Sequence, residues 1–382
     1  IKVGSRCEAE GQNGIAHFIE HIFFMKMHFE LKKYVCKFNA VTTREYTCYY
    51  VICLKNDMEG ILKVLSKIFE IGTIYDGDIK KIKHVIKQEI LGSSSEICHM
   101  MDARLISGSY GNSGLGNLAY GKIEDIDSLS INQVVEFYLK YYSANNLVIS
   151  ICGKVEDDVI HKIDMLLGKK QMTNKVQEFQ KSCFEEIKSP IFIQNDVPHF
   201  RMALALENCS YHSEEEVISE LCVELLGGSN KSLLFRMFRD EYGVVYNIYM
   251  EQINYYFEGF IYLYLDTSIE NVKKVCYGFG KLLESSFEDL FNKASIENAK
   301  KQLKFSMLCN YEKNTTLMTE YGLSYLLNRR VKGATEYIKK IDEIDQDAVY
   351  MYMKRIAKAK KNLVYSSTEE IRDSSLELFR YN

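Results

Sequence analysis

His17, Glu20 and His21 stand within Gly14-Ile15-Ala16-His17-Phe18-Ile19-Glu20-His21-Ile22-Phe23-Phe24, an HxxEH cluster. On an α-helix, spacings of three and four residues bring all three polar side chains onto one face. Two imidazoles one turn apart can hold a zinc ion, and the carboxylate between them can take a proton from a water that the metal activates. The other side chains of this stretch are apolar, so the helix is expected to be largely buried. Buried imidazoles and carboxylates need partners, since an unpaired buried charge is strongly disfavoured. A catalytic zinc keeps three protein ligands and an open fourth position. The third must come from elsewhere, and Glu89 and Glu96, seven residues apart on one face of a later helix, are both candidates.

The elements that must position these groups follow from residue patterns. Phe38 to Leu54 is rich in Val, Thr, Tyr and Cys and reads as one strand or a pair. Helical spacing recurs over Met58 to Glu70, Asp78 to about Glu96 and Ile131 to Tyr142, with a glycine-rich loop at Tyr110 to Gly121 and a strand at Asn146 to Cys152. Ile1-Lys2-Val3-Gly4-Ser5 reads as the end of a strand entering a turn, so the first domain is expected to lack its opening strand. In the second half, strand Arg201 to Leu206 is followed by helices Glu214 to Leu226 and Ser232 to Glu241. Strands Val244 to Tyr249 and Phe257 to Leu265 come next. The order strand, helix, strand, strand, helix occurs in both halves. It predicts an α+β chain of two similar domains, each a mostly antiparallel sheet packed with helices. The expected division is 1–170, a polar linker 171–189, and 190–382.

With 382 residues the chain exceeds a usual single core, which agrees with two domains. Hydrophobic residues make up 47% and charged residues 26%, with a net charge of -4, so no nucleic-acid footprint is indicated. No apolar run reaches the length of a membrane span. The cysteine count is 11, odd and without a CxxC pair, a usage that fits reduced thiols in a cytoplasm better than a disulfide framework or a zinc knuckle.

Together these blocks resemble the insulinase/pitrilysin family of zinc metallopeptidases, which includes mitochondrial processing peptidase. Gly4-Ser5-Arg6-Cys7-Glu8 and the HxxEH stretch are similar to its GSRxE and GxAHxxEH block. Phe38-Asn39-Ala40-Val41-Thr42 and Thr47-Cys48-Tyr49-Tyr50 resemble its NAxT and TxYY strands. Val85-Ile86-Lys87-Gln88-Glu89-Ile90 is similar to the segment that carries its third ligand. Leu225-Leu226-Gly227-Gly228, Ser232-Leu233-Leu234-Phe235 and Arg239 to Tyr246 resemble its LLGG, SxLF and RxxxGxxY motifs. Two departures stand out: Met25 to Met27 replace the usual Lys-Gly-Thr, and Ile82 takes the place of an acidic residue seven positions before the ligand.

The resemblance implies a zinc metalloendopeptidase that hydrolyses short or unfolded peptides, such as leader or processing segments. One Zn2+ per chain would be held by His17, His21 and Glu89, with Glu20 as general base. Raw chain length between His21 and the third ligand favours Glu96, whereas the local motif favours Glu89; the motif is preferred, with a shortened turn and helix between Phe24 and Phe38 absorbing the difference. It further implies that Arg239 and Tyr246 reach toward substrate and oxyanion, and that Asn39 and Ala40 lie on an edge strand to which an extended peptide adds. A chain of this size resembles half of a four-domain clamshell, which implies a homodimer or a heterodimer with a homologous subunit. The alternative reading is a noncatalytic partner subunit of such a heterodimer; intact His17, Glu20, His21 and Glu89 weigh against it.

Overall fold

The computed structural model describes residues 1–111, 113–168, 178–371 and 376. Residues 171–177 of the expected linker lie outside the described residues. The elements run α1 (Ile15–Leu31), β1 (Cys36–Thr42), β2 (Thr47–Cys53), α2 (Met58–Leu65), α3 (Asp76–Ser95), α4 (Ile97–Tyr110), α5 (Ile123–Ser128), α6 (Ile131–Tyr141) and α7 (Val159–Leu167). They continue with β3 (Ile191–Gln194), β4 (His199–Asn208), α8 (Glu216–Val223), α9 (Leu233–Phe235), β5 (Val245–Asn254), β6 (Gly259–Ser268) and α10 (Val272–Glu284). The last are α11 (Phe287–Leu290), α12 (Lys293–Tyr311), α13 (Asn314–Asn328), α14 (Ala334–Glu343), α15 (Gln346–Ala357) and β7 (Lys361–Ser367).

The chain forms two compact units that are not continuous segments. One comprises Ile1–Ser95, Asn112–Gln180 and Tyr311–Val331, the other Glu96–Gly111, Lys181–Asn310 and Lys332–Asn382. The fold is mixed α+β, as the patterns predict.

In the first unit α1 is the central element. Its apolar side chains, among them Phe18, Ile19, Ile22 and Phe23, are almost fully buried and pack with those of α3 and α6 in one core. Each buried phenylalanine contributes roughly 2–3 kcal/mol. The helix runs ten residues past His21, straight through Met25, Lys26 and Met27, good helix formers that carry no glycine to end it. The expected turn at that point is therefore absent. The Phe38 to Leu54 stretch is a hairpin, β1 antiparallel to β2, joined at residues 43–46. Phe38 stacks on Phe24 at 4.9 Å between ring centroids and so fastens β1 to α1. The start of α6 carries a complete capping box, Ser130 with Gln133.

One expectation fails in this unit. Residues 147–152 hold no strand: after a short 3-10 turn at Ala144–Asn146 they run without a ladder partner among the described residues. Strand propensity measures fit to a pleated surface and says nothing about whether a neighbour exists.

The second unit is built on a five-stranded sheet in the order β3-β7-β4-β6-β5, antiparallel except where β3 pairs with β7. One face, with Met202, Leu204, Leu263 and Leu265, packs on α8, α10 and α15. The predicted helix beyond Val223 continues as a π-helical turn over Glu224–Gly228, and the one beyond Phe235 as a second over Arg236–Glu241. Among the described residues no helix is long and apolar enough to cross a membrane.

Candidate metal centre

The start of α1 fixes where the HxxEH turn lies. Gly14 adopts a left-handed conformation at φ 104°, and a Cβ there would meet Ile126 Cδ1 at 2.6 Å and Gly121 Cα at 2.9 Å. Only glycine meets both demands. The first-turn N–H groups, which have no partner within the helix, donate to the buried Glu8 carboxylate: Gly14 N at 2.9 Å and Ala16 N at 3.0 Å. Asn13 Nδ2 adds a third donor at 2.6 Å. Glu8 thus anchors the first turn of α1, which begins at Ile15, two residues before His17.

His17 and His21 project from successive turns, and their Nε2 atoms come within 3.1 Å. His17 Nδ1 lies 3.4 Å from the Tyr120 carbonyl oxygen. A proton on Nδ1 donated there leaves a lone pair on Nε2, the arrangement a metal-ligating histidine needs. Burial, and then the neighbouring His21, push the His17 pKa down to about 4, so the ring is neutral near pH 7. From α3, Glu89 places Oε2 3.3 Å from His21 Nε2 and 3.6 Å from His17 Nε2. Its hydrogen bond to His21 lowers its pKa and keeps it ionised.

Three donors on one tetrahedral zinc, each about 2.0–2.2 Å from the ion, stand roughly 3.3–3.5 Å apart. The three distances here, 3.1, 3.3 and 3.6 Å, fall around that value, and the donor set of two imidazoles and a carboxylate suits the ion. Glu89 is half exposed, so the cluster is open toward solvent on its side. α3 ends at Ser95; Glu96 belongs to the other unit, and its carboxylate lies 3.3 Å from His99 of that same unit.

Glu20 stands beside this group, with Oε2 4.0 Å from His17 Nε2. His17, Glu20 and His21 form a group able to hold a metal ion among the described residues. Thr42 Oγ1 donates to Glu20 Oε2 at 2.8 Å, which ties the carboxylate to the last residue of β1. Burial raises the Glu20 pKa and makes it a stronger proton acceptor. Glu8 and Thr42 stand in motifs quoted from the sequence, but the sequence alone assigns neither a role. The signal for Thr42 was available: a carboxylate buried on an apolar helix requires a donor.

Asn39 and Ala40 lie mid-strand on β1, opposite Tyr50 and Tyr49. Among the described residues β2 is the sole ladder partner of β1, so its other edge carries no strand. Asn39 points to the exposed face, and Ala40 shares the half-buried face with Phe38 and Thr42. Arg239 and Tyr246 belong to the second unit. Arg239 Nη1 donates to the Tyr246 carbonyl oxygen, and its guanidinium lies 5.8 Å from the Tyr246 ring centroid, with Tyr246 largely exposed.

Residues 1–121 match the family model described as Insulinase (Peptidase family M16), and residues 128–303 match that of the Peptidase M16 inactive domain. The chain belongs to the insulinase family. Relatives of this insulinase-family chain include the uncharacterized zinc protease YmxG of Bacillus subtilis (strain 168), 27% identical over 91% of this chain and 87% of the relative. The beta subunit of mitochondrial-processing peptidase from Bos taurus is 22% identical over 91% of this chain and 75% of its own length. These relatives support a peptidase role. Among solved structures, a protease from Helicobacter pylori superposes with a TM-score of 0.83 at 17% identity, covering 96% of this chain and 92% of that one. A chain of Complex III2 from Candida albicans reaches 0.81 at 14% identity, covering 99% and 92%. At such identities the likeness concerns the fold, and function has to be argued from the side chains.

Proposed function

We propose that this insulinase-family chain is a zinc-dependent endopeptidase acting on short or unfolded peptides, with His17, His21 and Glu89 as ligands and Glu20 as general base. The observation that carries the reading is the convergence of three donor atoms, one from each ligand, at the mutual spacing a single tetrahedral ion requires. A zinc ion held there would act as a Lewis acid toward a peptide carbonyl and make water a nucleophile near pH 7. Glu20, oriented by Thr42 and made more basic by burial, takes the proton of the attacking water and returns it to the leaving amine. An extended peptide adds to the free edge of β1 by main-chain hydrogen bonds, and the same strand ends at the Thr42 that holds Glu20. Substrate and base are thereby positioned by one element.

The assignment of Arg239 and Tyr246 to substrate rests on the family resemblance. Pairing with a second, homologous subunit is part of the proposal too, supported by relatives that are named as subunits of a processing peptidase. The test measures zinc per chain together with cleavage of an unstructured peptide panel, for the chain alone and mixed with a homologous subunit. One zinc per chain and chelator-sensitive cleavage that zinc restores are expected. Cleavage at full rate by a zinc-free preparation would refute the reading.

A further inference from the structure

Cys36 and Cys53 stand directly opposite each other at the open end of the β1–β2 hairpin, the end remote from the turn at 43–46. Opposed residues of an antiparallel pair present their side chains on the same face, with Cα atoms about 4.5–5.5 Å apart. That separation falls inside the window of roughly 4.4–6.8 Å that a disulfide accepts. Both side chains are half-buried free thiols packed against the core of the first unit, on the face that also bears Phe38, Tyr49 and Val51. The two thiols are close enough that ionised Cys36 opposes ionisation of Cys53.

Alternative uses of the pair are weaker. Among the described residues no metal-capable group of three includes either cysteine. Cys48 faces Val41 and, by the period of two, projects from the opposite face of β2. Two opposed thiols with no other chemistry between them are the geometry of a cross-strand bond.

We propose that Cys36 and Cys53 are a modification site: they form an intrachain disulfide by exchange with a small-molecule disulfide, stapling the base of the hairpin that carries Asn39, Ala40 and Thr42. The thiolate of one cysteine attacks the oxidant R–S–S–R, forming a mixed disulfide and releasing R–S⁻. The thiolate of the second attacks the protein sulfur of that mixed disulfide, closes the Cys36–Cys53 bond and releases a second R–S⁻. Two electrons pass from the cysteines to the oxidant, and the two protons lost by the cysteines convert both R–S⁻ to thiols. The bond ties the segment entering β1 from α1 to the segment leaving β2 toward α2. In a reducing compartment the pair rests as the dithiol that the cysteine usage suggests; the bond is its oxidised state. Burial, and for Cys36 then the charge of Asp57, raise both thiol pKa values. Exchange is accordingly slow at pH 7 and faster above pH 8, where more thiolate forms.

The experiment incubates the full chain with oxidised glutathione at pH 7 and pH 9, alkylates the remaining thiols under denaturing conditions, and maps the peptides by mass. The expected product is one peptide pair linked through Cys36 and Cys53, forming faster at pH 9, reversed by excess reduced thiol, and absent from Cys36→Ser and Cys53→Ser. The melting temperature should rise by about 5 °C on oxidation of the wild-type chain and stay level in the variants. Three results overturn the proposal: stable glutathione adducts on both cysteines without a link, a link involving Cys7 or Cys48 instead, or thiols that stay alkylatable under conditions that oxidise the urea-unfolded chain. A linked product with an unchanged melting temperature overturns the staple. None of these readouts depends on peptidase activity, so the inference stands or falls apart from the proposed function.

Discussion

The two units share a plan, helix followed by an antiparallel hairpin, and put it to different use. In the first, α1 leads into β1 and β2 as one unbroken helix of 17 residues that carries buried Glu20 between half-buried His17 and His21. In the second, the helical run before β5 and β6 is interrupted by two π-turns and carries no histidine. Its hairpin instead belongs to a five-stranded sheet whose apolar face supports the larger core cluster. Polar groups buried on a helix are tolerated in the first unit because each has a partner: Tyr120 for His17, Thr42 for Glu20, Glu89 for His21. The contrast teaches that a common frame can hold either chemistry or stability, according to which side chains line the helix.

The sharpest way to break this contrast is Glu20→Gln. Cleavage should fall about 1,000-fold, the loss typical of a general base, while zinc per chain stays at the wild-type value because Glu20 is not among the three proposed ligands. Steady-state rates and metal analysis on one preparation decide it; a variant that cleaves within threefold of wild type removes Glu20 from the mechanism.

A matching probe of the second unit is Phe238→Ala. Phe238 is fully buried, stacks on Phe279 at 4.7 Å and lies edge-on to Tyr242. Truncation should cost about 4 kcal/mol of stability yet leave zinc binding by folded chains unchanged. Urea unfolding with metal analysis below the transition would show whether stability and chemistry separate as the comparison requires.

Legibility followed the same line. The HxxEH helix, the hairpin, α3 and α6 were readable because local periodicity and capping determine them, and the Ser130–Gln133 box shows it directly. Three features were not. β7 joins the sheet between β3 and β4 through partners far away in sequence, and Lys361–Ser367 is too evenly buried to alternate. The stretch 147–152 has the composition of a strand and lacks a ladder partner among the described residues. Helix endpoints were the third: Glu89 and Glu96, seven residues apart, were expected to share a face of one helix, but α3 stops at Ser95, short of Glu96. The anchoring roles of Glu8 and Thr42, both within quoted motifs, are not legible because their partners lie in other elements, eight and twenty-two residues away.

Glu8→Ala tests whether the first unit depends on its anchor. Removing a buried carboxylate that accepts from Gly14, Ala16 and Asn13 leaves three donors without it, and the loss should be about 2 kcal/mol. Because those donors fix the turn before His17, zinc affinity should weaken as well, in contrast to Phe238→Ala. Parallel unfolding and zinc-competition titrations would separate the two; equal zinc affinity in both variants would mean that the anchor serves stability alone.

The smallest effect, and the one that refines the comparison most, is expected from Thr42→Val. The substitution keeps the β-branched shape and β propensity of the strand residue but removes the hydroxyl that donates to Glu20 Oε2. With one orienting hydrogen bond lost, kcat should drop roughly tenfold, about 1.4 kcal/mol in the barrier, with KM and zinc content unchanged. Thr42→Ser should restore most of the rate, because it returns the donor. If Val and Ser variants behave alike, the strand contributes only packing. If instead KM rises while kcat holds, Thr42 acts through the peptide on β1 rather than through the base, and the joint positioning of substrate and Glu20 by one strand fails.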